Sequence, residues 1–152
     1  MKRTIGLLMM VGLMVGVVGC GDDDNPVKSN SVLLVGTWED PEGYSWTFGP
    51  DSKYVDATED GNLEGTWSLD GDQITITYSI DTIRDFIRTL IAAEMEGTVE
   101  DVSEVSVDEQ LADTYPDADG SVVLRYTLNS VTETELAVTD DEGGSAVLTR
   151  KN

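Results

Sequence analysis

Residues 63–80 read Leu-Glu-Gly-Thr-Trp-Ser-Leu-Asp-Gly-Asp-Gln-Ile-Thr-Ile-Thr-Tyr-Ser-Ile. On both sides of Asp70-Gly71, apolar or small residues alternate with polar ones at every second position. This period of two is typical of strands that bury one face, because successive side chains of a strand point to opposite faces. Asp-Gly favours the tight turn of a hairpin. The stretch therefore predicts a β-hairpin with one apolar face.

The same alternation continues on both sides of this hairpin. The first predicted strand begins at Val32, and the others follow in hairpin order around turns rich in Gly, Pro and Asp. The apolar faces of the six remaining strands lie at Leu34, Gly36 and Trp38; Tyr44, Trp46 and Phe48; Tyr54 within 53–58; Val122, Leu124, Tyr126 and Leu128; Leu136 and Val138; and 145–150. Eight such strands can close into a barrel, which removes exposed edges. We predict an all-β, eight-stranded antiparallel up-and-down barrel.

A short motif occurs twice in this pattern. Residues 34–38, Leu-Val-Gly-Thr-Trp, parallel residues 63–67, Leu-Glu-Gly-Thr-Trp. Gly two positions before Trp is expected to leave room for the indole over the end of the barrel. The first copy, near the start of an eight-strand meander, resembles the Gly-x-Trp signature of lipocalins. The pattern from Val32 to Ile80, followed by the Leu-Thr-Arg ending at 148–150, resembles the lipocalin-like domains found in bacterial lipoproteins.

This resemblance implies specific residues at one end of the barrel. In lipocalins the signature Trp packs against a basic residue, so Gly36, Trp38 and Arg150 are expected to form a structural group, with a cation–π contact between Arg150 and Trp38. The alternative is that Arg150 is only a frayed terminal charge. The chain departs from the family in having no paired cysteines and in carrying a long insertion.

Aromatic side chains dominate the predicted inner face and supply the candidates for ligand binding. They are Trp46, Phe48, Tyr54, Trp67, Tyr78 and Tyr126. One hypothesis is that they contact a small hydrophobic molecule in the barrel or at its mouth. The alternative is a solidly packed barrel that serves a structural or protein-interaction role.

Residues 81–120 interrupt the meander between the fifth and sixth strands. Asp81 is a plausible N-cap, and the apolar spacing that follows predicts an amphipathic helix over roughly 82–96. A second, shorter helix is predicted over 107–114. The insertion is expected to pack on the barrel, to act as a movable lid, or to bind an unknown protein partner.

The N-terminal 31 residues have a different character. Lys2 and Arg3 precede sixteen uncharged residues, and Val17-Val18-Gly19-Cys20 resembles the lipobox of bacterial lipoproteins. The resemblance implies cleavage of a signal peptide over 1–19 and acyl chains on Cys20 that hold the protein to a membrane. The next residues are rich in turn-formers and have no apolar periodicity, so we predict a flexible acidic tether over 20–31, followed by the barrel domain over 32–152. The expected location is the bacterial cell envelope, at the outer membrane, periplasmic or surface-exposed. A retained anchor helix is the alternative.

Charge and composition restrict the chemistry. The formal net charge of −21 argues against nucleic acid as a partner, because phosphates require Lys and Arg. The chain has no His and a single Cys, so His-dependent catalysis and His- or Cys-rich metal sites are excluded. No carboxylate stands out at an apolar inner position, where burial would raise its pKa. We therefore expect no enzyme activity, no metal and no cofactor.

Overall fold

A computed structural model describes residues 29–59, 61–116 and 118–151. The predicted signal peptide, the lipid attachment at Cys20 and most of the predicted tether lie outside these residues. Within the described part of the chain, no helix has the length and apolar character needed to cross a membrane.

Eight antiparallel strands form a closed barrel, each paired with its neighbours in sequence and the last paired with the first. The strands are β1 Gly36–Glu39, β2 Ser45–Phe48, β3 Lys53–Thr58, β4 Gly61–Asp70, β5 Gln73–Ser79, β6 Ser121–Val131, β7 Glu135–Asp140 and β8 Ser145–Arg150. The helices are α1 Asn30–Leu34, α2 Ile80–Glu94 and α3 Glu104–Thr114, with a 3₁₀ turn over Val99–Asp101. The predicted fold class, including the helical insertion between the fifth and sixth strands, is confirmed.

The start of the domain differs from the prediction. The chain forms α1 over Asn30–Leu34, where we predicted the end of a tether and the start of the first strand. Leu34 is fully buried as the last residue of this helix, so its burial comes from a helix turn and not from a strand face. Gly36 then begins β1 at φ +143°, a conformation that side chains rarely adopt.

The insertion begins slightly earlier than predicted. Ser79 is the N-cap of α2, since its Oγ accepts a hydrogen bond from the Thr82 amide at 3.1 Å, and Asp81 lies in the first turn. Ile80 therefore belongs to the helix and not to the fifth strand. The physical reason is that Ser is as good an N-cap as Asp and that the carbonyl of Gly120 pairs with the Ile80 amide at this point.

Helix α2 packs on the barrel through one apolar face. Ile83, Ile87 and Ala92 are buried there, and the helix contacts β4, β5 and β6. Two ion pairs join it to α3, Arg84–Asp108 at 2.7 Å and Arg88–Glu104 at 2.6 Å. The described structure thus has the insertion packed against the barrel.

The meander gives the barrel two distinct ends. We call one the closed end: it holds α1, the loops at 49–52, 71–72 and 132–134, and the last residues of β8. We call the other the mouth: it holds the turns at 40–44 and 141–144 and the insertion. The candidate site residues divide between the two ends and the packed interior that separates them.

Candidate functional site

Four of the six ligand-binding candidates form the packed core of the barrel. Phe48, Tyr54, Trp67 and Tyr78 are all at most 9% exposed. Phe48 lies 5.1 Å from the Tyr54 ring and 5.4 Å from the Trp67 ring, and Tyr54 lies 6.1 Å from Tyr78, all between centroids. These separations are those of aromatic pairs in direct contact. The rings fill the interior at this level of the barrel.

The polar atoms of this core are satisfied within the chain. Trp67 Nε1 donates a hydrogen bond to the Gly49 carbonyl at 2.9 Å, which ties the core to a loop of the closed end. Burial raises the pKa of the Tyr54 and Tyr78 hydroxyls far above the usual range of tyrosine. Both side chains are therefore neutral at physiological pH, as core residues should be.

Glycine precedes the two tryptophans of the repeat for a reason that differs from our prediction. A Cβ on Gly65 would lie 2.6 Å from the Thr77 carbonyl oxygen and 2.8 Å from the Tyr78 ring, so the space belongs to the neighbouring strand. At Gly36 the space is occupied by the Arg150 guanidinium. At both positions the atoms nearest to the missing side chain belong to a neighbouring strand and not to the indole that follows.

Arg150 and Trp38 are brought together at the closed end. The guanidinium carbon lies 4.2 Å from the centre of the fully buried Trp38 ring. Arg150 also donates hydrogen bonds to the carbonyls of Leu33, Val35 and Glu133. Trp38 Nε1 donates to the Leu34 carbonyl at 2.8 Å. The arginine thus neutralises the carbonyl end of α1 and covers an aromatic ring at the same time.

The other two ligand-binding candidates lie near the mouth. Trp46 and Tyr126 are half-buried, and their ring centroids are 5.1 Å apart with the planes tilted by 55°. Trp46 also meets Tyr54 edge-on at 6.4 Å, so the mouth pair rests on the packed core. Together these two residues leave aromatic surface accessible where the other four do not.

A partly buried carboxylate that we did not predict lies beside this pair. Asp56 is two residues after Tyr54 on β3, and it stands directly opposite Trp46 in the pairing of β2 with β3. Burial, assisted by the negative charge of Asp40, raises the pKa of Asp56 to about 6. The expectation that no acid occupies an inner position was wrong. The period of two from Tyr54 would have placed Asp56 inward.

Two matching turns surround the mouth with further negative charge. Asp40 accepts hydrogen bonds from the amides of Glu42 and Tyr44, both at 2.9 Å. Asp140 accepts them in the same way from Glu142 and Gly144, at 3.0 and 2.6 Å. Because β8 pairs with β1, these two hairpin turns are neighbours at the same end of the barrel.

The negative charge of the mouth affects the pKa of Tyr126. Burial, followed by the charges of Asp56, Asp140 and Asp141, raises the pKa of Tyr126 to about 12. Tyr115, at the end of α3, is also close enough to contribute to this shift. The mouth thus combines neutral aromatic rings with a negative potential that three separate elements of the chain produce.

Two open clefts of about 330 Å³ each lie away from these rings. One runs between α2 and the outer face of β4, next to Phe86, Asn62 and Glu64. The other lies at the closed end beside Val32, Leu33 and Arg150. Within the described residues, no group of three or more acidic or Cys side chains is placed to hold a metal ion. The mouth is therefore the part of the barrel where accessible aromatic surface and charge coincide.

Comparison with known proteins gives similarity only at the level of solved structures. No protein-family model and no curated protein matches this chain. A lipocalin-like protein from Bacteroides uniformis ATCC 8492 shares 16% identity at a TM-score of 0.43, over 78% of this chain and 99% of that one. An uncharacterized protein from Bacteroides eggerthii DSM 20697 shares 14% identity at the same TM-score and coverage. The barrel topology given above rests on the strand pairing of this chain itself.

Proposed function

We propose that this protein is a lipid-anchored, non-catalytic binding protein of the bacterial cell envelope whose lipocalin-like barrel holds a small hydrophobic molecule at its mouth. One observation carries the binding proposal: of the six inner aromatic candidates, only Trp46 and Tyr126 keep accessible ring surface, and they lie together. Half-buried aromatic rings that meet at the end of a barrel can stack on or enclose an apolar ligand without displacing the core.

A neutral fluorescent dye such as Nile red tests the binding proposal. The dye is expected to bind the purified domain 29–152, and Trp46→Leu is expected to weaken its binding at least tenfold. Val147→Ser, on the exposed outer face of β8, is the matched control and should bind as the parent does. Equal binding by Trp46→Leu and the parent would overturn the proposal that the ligand lies at the mouth.

The anchor is a separate part of the proposal and has a separate test. The full chain is expressed in a bacterial host, and its N-terminal peptide is weighed by mass spectrometry. Cleavage before Cys20 and the added mass of acyl chains are expected, with Cys20→Ser leaving the protein unlipidated. A mature chain that retains residues 1–19, or an unmodified Cys20, would overturn the lipid anchor.

The packed interior between the two ends of the barrel favours a second function, that of a structural or protein-interaction lipoprotein. Phe48, Tyr54, Trp67 and Tyr78 pack on one another deep in the barrel and expose at most 9% of their surface. In that case the insertion 81–120 would supply the contact surface, through exposed acids of α3 such as Glu109 and Asp113. Failure of the parent domain to bind any hydrophobic probe, together with a partner that is lost on reversing these charges, would establish this function instead.

A further inference from the structure

The Asp56 carboxylate has no countercharge among the described residues. The six basic residues of the described chain are Lys53, Arg84, Arg88, Arg125, Arg150 and Lys151. Arg84 and Arg88 pair with acids of α3, and Arg150 is hydrogen-bonded at the closed end. Lys53 and Lys151 form exposed ion pairs with Asp51 and Glu39. Arg125 alternates with Leu124 and Tyr126 on β6, so it lies on the outer face. The mouth is therefore lined by carboxylates without a cation from this part of the chain.

The missing countercharge destabilises the ionised form of Asp56, because this side chain is partly buried. A carboxylate that is partly removed from water loses hydration, and it regains stability only from a cation or from hydrogen-bond donors. Trp46 stands directly opposite it on β2 and Leu63 directly opposite it on β4, so its cross-strand neighbours are apolar. A bound cation would supply what the surrounding side chains do not.

The aromatic rings favour an organic cation over a metal ion. Trp46 and Tyr126 offer ring faces, which attract ammonium and guanidinium groups through their quadrupoles. A metal ion would need several oxygen ligands at short range, and the described residues contain no such cluster. At the closed end, the chain itself places a guanidinium over Trp38, whose cross-strand partner is Trp46. The same chemistry is thus already realised one strand away.

From this arrangement we infer that the mouth is a binding site for an organic cation, an ammonium or amidinium group carried on an aromatic or aliphatic body, with Asp56 as its counterion and Trp46 and Tyr126 as its ring contacts. This inference rests on the proposed function and names the class of its ligand. Asp40, Asp140 and Asp141 at the rim add a longer-range attraction for positive charge.

The site is also expected to respond to pH. The groups that interact electrostatically with Asp56 are Asp40 from the first hairpin turn and the tyrosines 54, 78 and 126, while Asp140 and Asp141 from the last turn act on Tyr126. Among these, the tyrosines stay neutral at physiological pH because burial raises their pKa values. Since the pKa of Asp56 is about 6, protonation of Asp56 removes the counterion as the pH falls through that value. Affinity for a permanent cation should therefore be lower at pH 5 than at pH 8.

A pair of probes of the same shape tests the inference. Benzyltrimethylammonium carries a permanent positive charge, and neopentylbenzene is its neutral counterpart with carbon in place of nitrogen. Binding of each to the domain 29–152 is measured by NMR titration at pH 8. We expect the cation to bind at least tenfold more tightly than the neutral probe, and its affinity to fall several-fold at pH 5. Equal or tighter binding of the neutral probe would overturn the inference.

Two variants test whether Asp56 is the counterion that causes the preference for the cation. Asp56→Asn is expected to reduce the affinity for benzyltrimethylammonium at least tenfold and to abolish its pH dependence, while it leaves neopentylbenzene unchanged. Glu64→Gln, on the outer face of β4, is the matched control and should behave as the parent does. Cation binding that survives Asp56→Asn would reject Asp56 as the counterion.

The outcomes separate this inference from the proposed function. If both probes bind with similar affinity and Trp46→Leu weakens both, the mouth binds small molecules but does not select cations, and only the further inference fails. If neither probe binds the parent domain and Nile red also fails to bind, both proposals fail together.

Discussion

At the closed end, Trp38 lies beneath the Arg150 guanidinium; at the mouth, its cross-strand partner Trp46 lies opposite the Asp56 carboxylate. The first pair is complete, since the arginine meets the ring and three backbone carbonyls and the indole N–H has its own acceptor. The second contains rings and negative charge but no cation from the described residues. An aromatic ring thus has a structural role at the closed end, where the chain supplies the cation that packs on it. At the mouth the chain supplies rings and a carboxylate but no cation, which leaves a candidate binding site.

The two tryptophans allow the sharpest test of this difference. Trp38→Leu is expected to lower the free energy of unfolding by about 3 kcal/mol, because it leaves a cavity in a fully buried site and removes an indole hydrogen bond. Trp46→Leu, on a half-buried side chain, is expected to cost about 1 kcal/mol. Urea unfolding followed by circular dichroism measures both. Equal losses in the free energy of unfolding would show that Trp46 contributes to stability as much as Trp38 does.

Arg150 and its neighbour Lys151 test whether the closed end depends on a fitted cation or on charge alone. Arg150→Met is expected to lower the free energy of unfolding by about 2 kcal/mol, because the carbonyls that it satisfies lose a charged donor. Lys151→Met removes only an exposed ion pair with Glu39, which is worth less than about 1 kcal/mol. Urea midpoints in low and high salt distinguish the two, since salt should weaken only the contribution of Lys151.

Asp56 is expected to destabilise the mouth at neutral pH. Its folded pKa of about 6 lies above its ordinary value of 3.8, so the folded state binds the proton more tightly than the unfolded state does. The contribution of Asp56 to stability is therefore greatest below pH 4 and is lost as the pH rises through 6. At pH 8, Asp56→Asn should raise the free energy of unfolding by on the order of 2 kcal/mol, and at pH 4 by much less.

The control for this prediction is Glu64→Gln on the exposed face of the neighbouring strand. Its unfolding curves should follow those of the parent at both pH values. A stability difference between Asp56→Asn and the parent that did not change between pH 4 and pH 8 would contradict the assigned cause, because a neutral and a charged side chain would then be tolerated equally.

The smallest expected effect is a change in the pKa of Asp56, which should differ between variants of the 40–44 turn and of the 141–144 turn. Asp40→Asn keeps a hydrogen-bond acceptor in its turn but removes the charge, so the pKa of Asp56 should fall. Burial, which is the larger cause, should still hold that pKa above 3.8. Asp140→Asn makes the same change in the other turn and should act on Tyr126 more than on Asp56. Carboxyl NMR titrations of Asp56 in the two variants provide the measurement, and an unchanged pKa in Asp40→Asn would remove Asp40 as a cause.

Most of the barrel could be predicted because its signals are local. Alternation and turn residues predicted all eight strands, and the last one, Ser145–Arg150, has the predicted bounds. The errors fell at element ends, where Ser79 competes with Asp81 as a cap and where Leu34 is buried by a helix turn. Asp56 was missed for another reason. The period of two places it on the face of Tyr54, but its strand reads as a short polar segment, so nothing in the sequence showed that burial would raise the pKa of a carboxylate there.

The sequence by itself determined the strands, their order and the inward face of each, since the period of two and the turn chemistry act between residues a few positions apart. Only the tertiary structure decided which inner aromatics are core and which remain accessible. Trp46 and Tyr126 lie far apart in the chain, and their contact depends on how the closed barrel brings β2 towards β6. The same closure left Asp56 partly buried beside them without a cation from the described chain, because burial and countercharge are set by neighbours across the barrel and not by neighbours along it.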